Sequence, residues 1–235
     1  MDNTNNKICF SYCLYGPYNP KYYCGLEENI IYILKTFPSS LIYLWFGSDV
    51  EMVYFDKYKS NPNIQIFKLS VTGHIMMSYR FASIDFKNID VMLVRDADSR
   101  ISEREINFNN EFIESKYLIH TIRDHKGHFI PLMGGIFSLK KELVQKYNIN
   151  ILKTIKYCNE NNIKLDYYNS DQNLLVSLFY NNFKHFLLVH STKNIFGDPN
   201  FIKIEPPLNN NFCGQVIDYD SSGNSFMVHE YENYE

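Results

Sequence analysis

Asp96 and Asp98 stand one residue apart behind an apolar run, in the stretch VMLVRDADSRISERE from Val91 to Glu105. Two carboxylates held that close repel, and one takes up a proton unless a cation neutralises them. An oxygen-loving divalent ion, Mn2+ or Mg2+, is the natural partner. Such an ion can hold a diphosphate by bridging two of its oxygens and offset the charge of a leaving group. In an extended chain residues i and i+2 point the same way, so both side chains can face one cavity. Asp-x-Asp triplets also occur by chance on solvated turns, so the surrounding elements decide what this one means.

Those elements alternate. Lys7 to Leu14 reads as a strand, and Tyr22 to Phe37 carries Leu26, Ile30, Ile33, Leu34 and Phe37 at helical spacing until Pro38 stops it. Leu41 to Gly47 is a second strand, and a helix capped by Ser48 or Asp49 is expected after it. Asn63 to Leu69 is a third strand and His74 to Asp85 a short helix. Asp90 to Val94 is a fourth strand, apolar after its first residue and therefore central. Strand–helix alternation predicts an α/β fold, a mostly parallel sheet with helices on both faces. Ligands of such sheets bind beyond the carboxyl ends of the strands, which is where Asp96 and Asp98 fall. Ser102 and Glu105 fit a capping box, so a helix starts there. KYLIHTIRD and LMGGIFSL read as further strands, and His185 to His190 as a late one. Helices are expected over Lys140 to Tyr147, Ile149 to Asn159 and Asp171 to Tyr180. The rest is rich in turn residues.

A chain of 235 residues suits one domain, 1–235. Apolar residues at 45% mark it as globular. A net charge of -3 without a Lys/Arg cluster argues against a nucleic-acid partner. Five cysteines without CxxC spacing give neither a disulfide framework nor a zinc signature and favour a reducing compartment. No signal peptide and no transmembrane segment are read, so a cytoplasmic protein is expected, in the host cell if the source is viral.

RDADSR followed by the helix-starting SERE resembles the nucleotide-sugar motif of GT-A-fold glycosyltransferases. It is most similar to a group found in bacteria and large DNA viruses, in which RDADSR precedes an RDH…H strand, a GG strand, a DQ helix and a late histidine. The sequence shows each in order, as TIRDHKGHFIPLMGG (Thr121–Gly135), SDQNLL (Ser170–Leu175) and LLVHS (Leu187–Ser191). The early SYCLYG…KYYCGLEENI and the late FCGQV are also similar, so the resemblance covers nearly the whole chain. The group often reads His-Asp-Ser where this chain reads His190-Ser191-Thr192.

The resemblance implies a metal-dependent transferase of the hexosyl or deoxyhexosyl class, with a nucleotide-sugar-binding half over 1–100 and an acceptor half and C-terminal tail over 101–235. It would move a sugar from a nucleoside diphosphate, a UDP-sugar first and a GDP-sugar second, to a hydroxyl of a glycan, lipid or protein. Asp98 is the expected metal ligand, with Asp96 sharing the ion or holding donor hydroxyls. His190 is the third ligand by resemblance, or else a hydrogen-bonded core histidine. The resemblance also puts Arg80 on the donor and the nucleotide base at Tyr15 and Gly16. Tyr15 could stack on that base or simply pack. Arg100 could hold the diphosphate in bidentate fashion or form an ion pair with Glu103 or Asp96. Gly134 and Gly135, expected in mid-strand, leave room for a donor sugar or mark a bulge. By resemblance Asp171 and Gln172 face the sugar and acceptor, although Ser170 or Asp171 also reads as a helix cap. Asp171 is the candidate general base of an inverting reaction, and Asp124 its rival. His125 and His128, three residues apart on a loop, lack the further ligands that zinc needs.

Two other readings compete. Haloacid-dehalogenase-type phosphatases also carry Asp-x-Asp after a buried strand, with the first Asp as nucleophile. They usually place it near the N-terminus, whereas three strands precede it here and no adjacent acidic pair follows. The other is a non-catalytic nucleotide-sugar-binding or structural protein on a decayed transferase scaffold, and the intact DxD, GG and DQ elements argue against decay.

Overall fold

The computed structural model describes residues 6–208 and 211–228. Strand β1 (Ile8–Leu14) leads to helix α1 (Pro20–Thr36), β2 (Leu41–Phe46) and β3 (Ile64–Lys68). Helix α2 (Met76–Tyr79) runs into a 3-10 turn (Arg80–Asp85) and β4 (Val91–Arg95). Then come α3 (Glu103–Glu114), β5 (Ile119–Arg123), β6 (Ile136–Lys140), α4 (Lys141–Lys146), α5 (Ile151–Glu160) and α6 (Ser170–Leu175). Strands β7 (Leu187–Ser191) and β8 (Phe201–Lys203) close the large sheet, and β9 (Ile217–Tyr219) and β10 (Ser225–Met227) form a separate hairpin.

The eight strands lie in the order β3-β2-β1-β4-β6-β5-β7-β8. Every pairing is parallel except those of β6, which runs antiparallel to both β4 and β5. This is the α/β class with a mostly parallel sheet that the sequence predicts. All five residues of β4 are buried, as a central strand between two covered faces requires.

Alternation along β1 sorts the core. Phe10, Tyr12 and Leu14 pack with α1 and α3 on one face, while Cys9 and Cys13 pack on the other with α2, α4, α5 and α6. Trp45 belongs to the second face, where it stacks on Phe67 with centroids 4.3 Å apart. Helix α1 starts as its sequence dictates, with the Asn19 side chain accepting from the Lys21 N–H at 3.0 Å and Pro20 in the first turn.

Several expectations are corrected. The helix expected after β2 is two 3-10 turns, Met52–Tyr54 and Asp56–Tyr58, with no side-chain cap. Its VYF run places β-branched and aromatic side chains in a row, which weakens α-helix formation. Residues 176–180 continue α6 as a π-helical turn. Only half of the capping box forms: Ser102 Oγ accepts from the Glu105 N–H at 3.2 Å, but the Glu105 carboxylate turns inward to Arg95. A buried guanidinium competes better for that carboxylate than a backbone amide at an exposed helix end. Gly134 and Gly135 are not in mid-strand; they form a turn just ahead of β6.

Candidate active site

The carboxyl ends of β1, β4, β5 and β7 point to one end of the sheet because those strands run parallel or are two antiparallel steps apart. A cavity of about 450 Å3 opens there. Asp96 and Asp98 both line it, on the turn that leaves β4. They share the cavity because the chain turns at residues 97–98, not because a strand continues.

The turn is built from below and from the side. Arg95, buried under it, donates from Nη2 to Ser99 Oγ at 3.1 Å and pairs through Nη1 with Glu105. Burial, partly offset by Arg95, pushes the Glu105 carboxyl up to about 7. Helix α1 presents Gly25 and Asn29, one turn apart on the same side. Asn29 Nδ2 donates to the Ser99 carbonyl at 2.7 Å. A β-carbon at Gly25 would overlap the Ala97 carbonyl and stand 2.8 Å from an Arg100 nitrogen, so only glycine lets the turn come this close. The C-terminal segment covers the remaining side: Ser99 bridges Val216, and the Ile217 N–H donates to the Asp98 carbonyl at 2.8 Å.

Asp96 is the more open of the pair, with its side chain 39% exposed, against 15% for Asp98. Arg80, itself buried, donates from Nη1 to Asp96 and from Nη2 to Asp171 Oδ2 at 2.8 Å, tying β4 to the start of α6. Asp98 has Lys21 Nζ at 3.6 Å as its ion-pair partner. Burial first, and the Asp96 charge second, raise the Asp98 carboxyl to about 6. The paired carboxylates carry more negative charge than their surroundings neutralise, the condition a divalent cation relieves.

Register explains the glycines. Ile136 pairs with Arg95, so Gly134 and Gly135 lie beside the aspartate turn. A β-carbon on Gly135 would overlap the Asp96 carboxylate, and one on Gly134 would come within 2.6 Å of Asp171 Oδ2. At Asp171 and Gln172 the local cap is neither Ser170 nor Asp171: Asn169, with φ +65°, precedes the helix without a side-chain cap, and Ser170 Oγ donates to the Leu165 carbonyl at 2.6 Å. Asp171 Oδ1 and Gln172 Oε1 are buried and hold no hydrogen bond among the described residues, and both side chains line the cavity. They are buried acceptors on the cavity wall.

Tyr15 lines the cavity at the end of β1, its hydroxyl 3.1 Å from His74 Nδ1. Burial pushes its phenol up to about 12, so it stays protonated. Gly16 does not line the cavity. Its φ of +87° makes the turn after β1, and its carbonyl accepts from the Tyr23 hydroxyl at 2.9 Å.

Three expected residues lie elsewhere. Arg100 donates from Nε to Glu28 at 2.7 Å and from Nη2 to the Tyr219 hydroxyl at 2.8 Å, so its ion pair is with Glu28 on α1. His190 is fully buried on the α3 face, with Nδ1 2.9 Å from His120 Nε2, Nε2 2.9 Å from Glu111, and its ring stacked on Phe108. Strand β7 is the third from β4, roughly 14 Å away at ordinary strand spacing, too far for a shared ion. Asp124 is buried behind the cavity wall, where Oδ2 accepts from Arg104 Nε at 2.9 Å and from the Cys213 N–H at 3.2 Å.

Sequence reasoning missed Lys21, Tyr22, His74 and Tyr168, which also line the cavity, and gave no role there to His128. Phe212, Gly214 and Val216 line it too, and the FCGQV segment was the signal for them.

Among the described residues no group of three or more His, Cys, Asp or Glu is placed to hold a metal ion. Two carboxylates nevertheless fit Mn2+ or Mg2+, because such ions keep several waters and take further oxygens from a substrate phosphate. No helix among the described residues is long and apolar enough to cross a membrane.

No family model matches the chain, and no curated protein matches it significantly. Among solved structures, it is similar to a glycosyltransferase involved in the glycosylation of the major capsid of PBCV-1, at 15% identity and TM-score 0.49, over 79% of this chain and 82% of that one. It is also similar to S. aureus TarS 1-349 in complex with UDP-GlcNAc, at 12% identity and TM-score 0.46, over 61% of this chain and 48% of that one. A third likeness is to the mannosyltransferase PcManGT from Pyrobaculum calidifontis in complex with GDP-Man and Mn2+, at 8% identity and TM-score 0.46, over 60% of this chain and 46% of that one. The chain thus spans about half the length of the TarS and PcManGT structures. All these scores are low, so the cavity's own residues carry the functional reading.

Proposed function

We propose that the protein is a metal-dependent glycosyltransferase that takes a nucleoside-diphosphate sugar, a UDP-sugar first and a GDP-sugar second. The carrying observation is the pair Asp96 and Asp98, facing a cavity at the carboxyl ends of the strands with Asp98 raised to about 6. Asp98, with the free oxygen of Asp96, would hold the ion, whose chemistry when bound is to neutralise the diphosphate. Lys21 lies on the same side and adds positive charge near that position.

The chain's own residues do the rest. Tyr15 offers a face to the base at the end of β1. Arg80 fixes Asp96 and Asp171 in one geometry. The Gly134–Gly135 turn lets a sugar lie against backbone. Asp171 Oδ1 and Gln172 Oε1 accept hydrogen bonds from the sugar's hydroxyls. The acceptor is a hydroxyl of a glycan, lipid or protein.

The test is the melting temperature with UDP-, GDP-, CMP- and TDP-sugars, each with and without Mn2+, because a ligand of the native state alone raises it by mass action. A rise that needs both metal and one nucleotide is the expected result. No rise with any donor, together with Mg2+-dependent hydrolysis of a phosphate ester, would replace this reading with the phosphatase.

A further inference from the structure

His128 lines the cavity on the loop between β5 and β6, and its ring is nearly buried. Its Nδ1 lies 3.5 Å from Asp124 Oδ1. The spacing is long for a hydrogen bond, and neither atom has another partner among the described residues. Catalytic hydrogen bonds in unliganded sites are often this long and tighten in the complex. Asp124 is itself fixed through Oδ2 by Arg104 and the Cys213 amide. Phe212 stands edge-on to His128 at 5.4 Å and stacks on His125 at 3.9 Å, so an aromatic wall holds the loop.

We propose that His128, oriented by Asp124, is the base that takes the proton from the acceptor hydroxyl. This rests on the transferase reading above. With Nδ1–H turned to Asp124, the neutral ring keeps its lone pair on Nε2. Burial holds His128 down at about 4, against the pull of Asp124 and with His125 and Arg123 opposing protonation, so the ring is neutral near pH 7. Of its rivals, Asp171 is assigned through Oδ1 to the donor sugar's hydroxyls in the reading above. Its Oδ2 is held by Arg80. His125 Nδ1 accepts from the Gly127 N–H at 3.1 Å, which leaves the proton of a neutral ring on Nε2. Asp124 acts through His128 as a positioning residue.

In the step, the acceptor's O–H proton moves to His128 Nε2. The oxygen's electron pair forms the bond to the anomeric carbon as the carbon–oxygen bond to the diphosphate breaks. That bond's electrons leave with the nucleoside diphosphate, and the imidazolium later gives its proton to water. A single displacement of this kind inverts the anomeric configuration.

The first test needs no acceptor. Nitrogen-15 NMR of the whole protein at pH 7 should show His128 neutral, with hydrogen on Nδ1 and Nε2 bare; a protonated ring or the Nε2–H tautomer overturns the proposal. The second measures turnover of the donor that raises the melting temperature, with water or a simple glycoside as acceptor. His128→Ala should lower kcat about 10^2- to 10^4-fold with donor KM and the donor-induced shift unchanged. Added imidazole should restore part of the rate in His128→Ala but not in Asp124→Asn. Full activity in His128→Ala, or retained configuration in the product, overturns the assignment. Absence of any donor-induced shift in the wild type would instead sink the transferase reading itself.

Discussion

Gly135 stands so close to Asp96 that its missing side chain is what leaves the carboxylate its place. Gly135→Ala should therefore move Asp96 while leaving the core intact. Metal affinity, read by titrating Mn2+ against the melting temperature, should fall about 10- to 100-fold, the usual range when a ligand loses its support. Unchanged affinity would mean that Asp96 does not hold the ion.

Asp98 makes a prediction about pH. Its folded carboxyl is raised above its unfolded value, so the folded state binds the extra proton between about pH 4 and 6. Stability from this group is present at low pH and is lost as pH rises through about 6. The loss is about 1.4 kcal/mol for each pH unit between the unfolded and folded values. Without metal, Asp98→Asn should melt above wild type at pH 7, and the gain should vanish near pH 4. Mn2+ should stabilise wild type at pH 7 and leave the variant unaffected. Melting curves across pH, with and without Mn2+, decide both points.

Arg80 neutralises two carboxylates, one of them fully buried. Arg80→Ala leaves Asp171 charged and unpaired in the interior and should cost about 3–5 kcal/mol in urea unfolding. Arg80→Lys should recover little of it, because an ammonium lacks the planar fork that spans both partners. A loss near zero for Arg80→Ala would show that the two ion pairs add nothing net to stability, and full stability in Arg80→Lys that the planar fork is not needed.

Tyr15→Ala should weaken donor binding by roughly 5- to 150-fold, the value of one stacked base at about 1–3 kcal/mol. The change should appear in donor KM, with kcat nearly unaltered. Tyr15→Phe keeps the ring face and should bind nearly as wild type. Equal binding by all three would place the base elsewhere.

His190→Ala separates a ligand from a core histidine. Removing a ring that bridges His120 and Glu111 should lower stability by about 1–3 kcal/mol. The Mn2+-dependent rise in melting temperature should stay as in wild type, and its loss would return His190 to the metal.

The sheet and the aspartate turn were legible because they rest on local signals. Apolar runs bounded by Gly, Pro and Asn mark the strands, and β4 carries its two aspartates at the end where ligands bind. His190 was not legible. It lies near the carboxyl end of β7, but which face it takes and how many strands separate it from β4 follow from strand order. That order is set by β6 inserting antiparallel between β4 and β5, and no local pattern announces it. Arg100 failed for a related reason: its partner Glu28 lies on α1, far away in sequence. Asp124 was singled out by its neighbours, yet its relation to His128 is a matter of a few ångströms that spacing alone does not fix.

The hydrogen bond from Ile217 to Asp98, with the bridge from Val216 to Ser99, has a consequence for how the protein is made. A nascent chain can lay down β1 to β4 long before residues 213–217 leave the ribosome. Until they do, the aspartate turn lacks its cover, and Asp124 lacks the Cys213 amide. Synthesis thus separates shape from site: the sheet can form while the aspartate turn still waits for residues 213–217 to cover it.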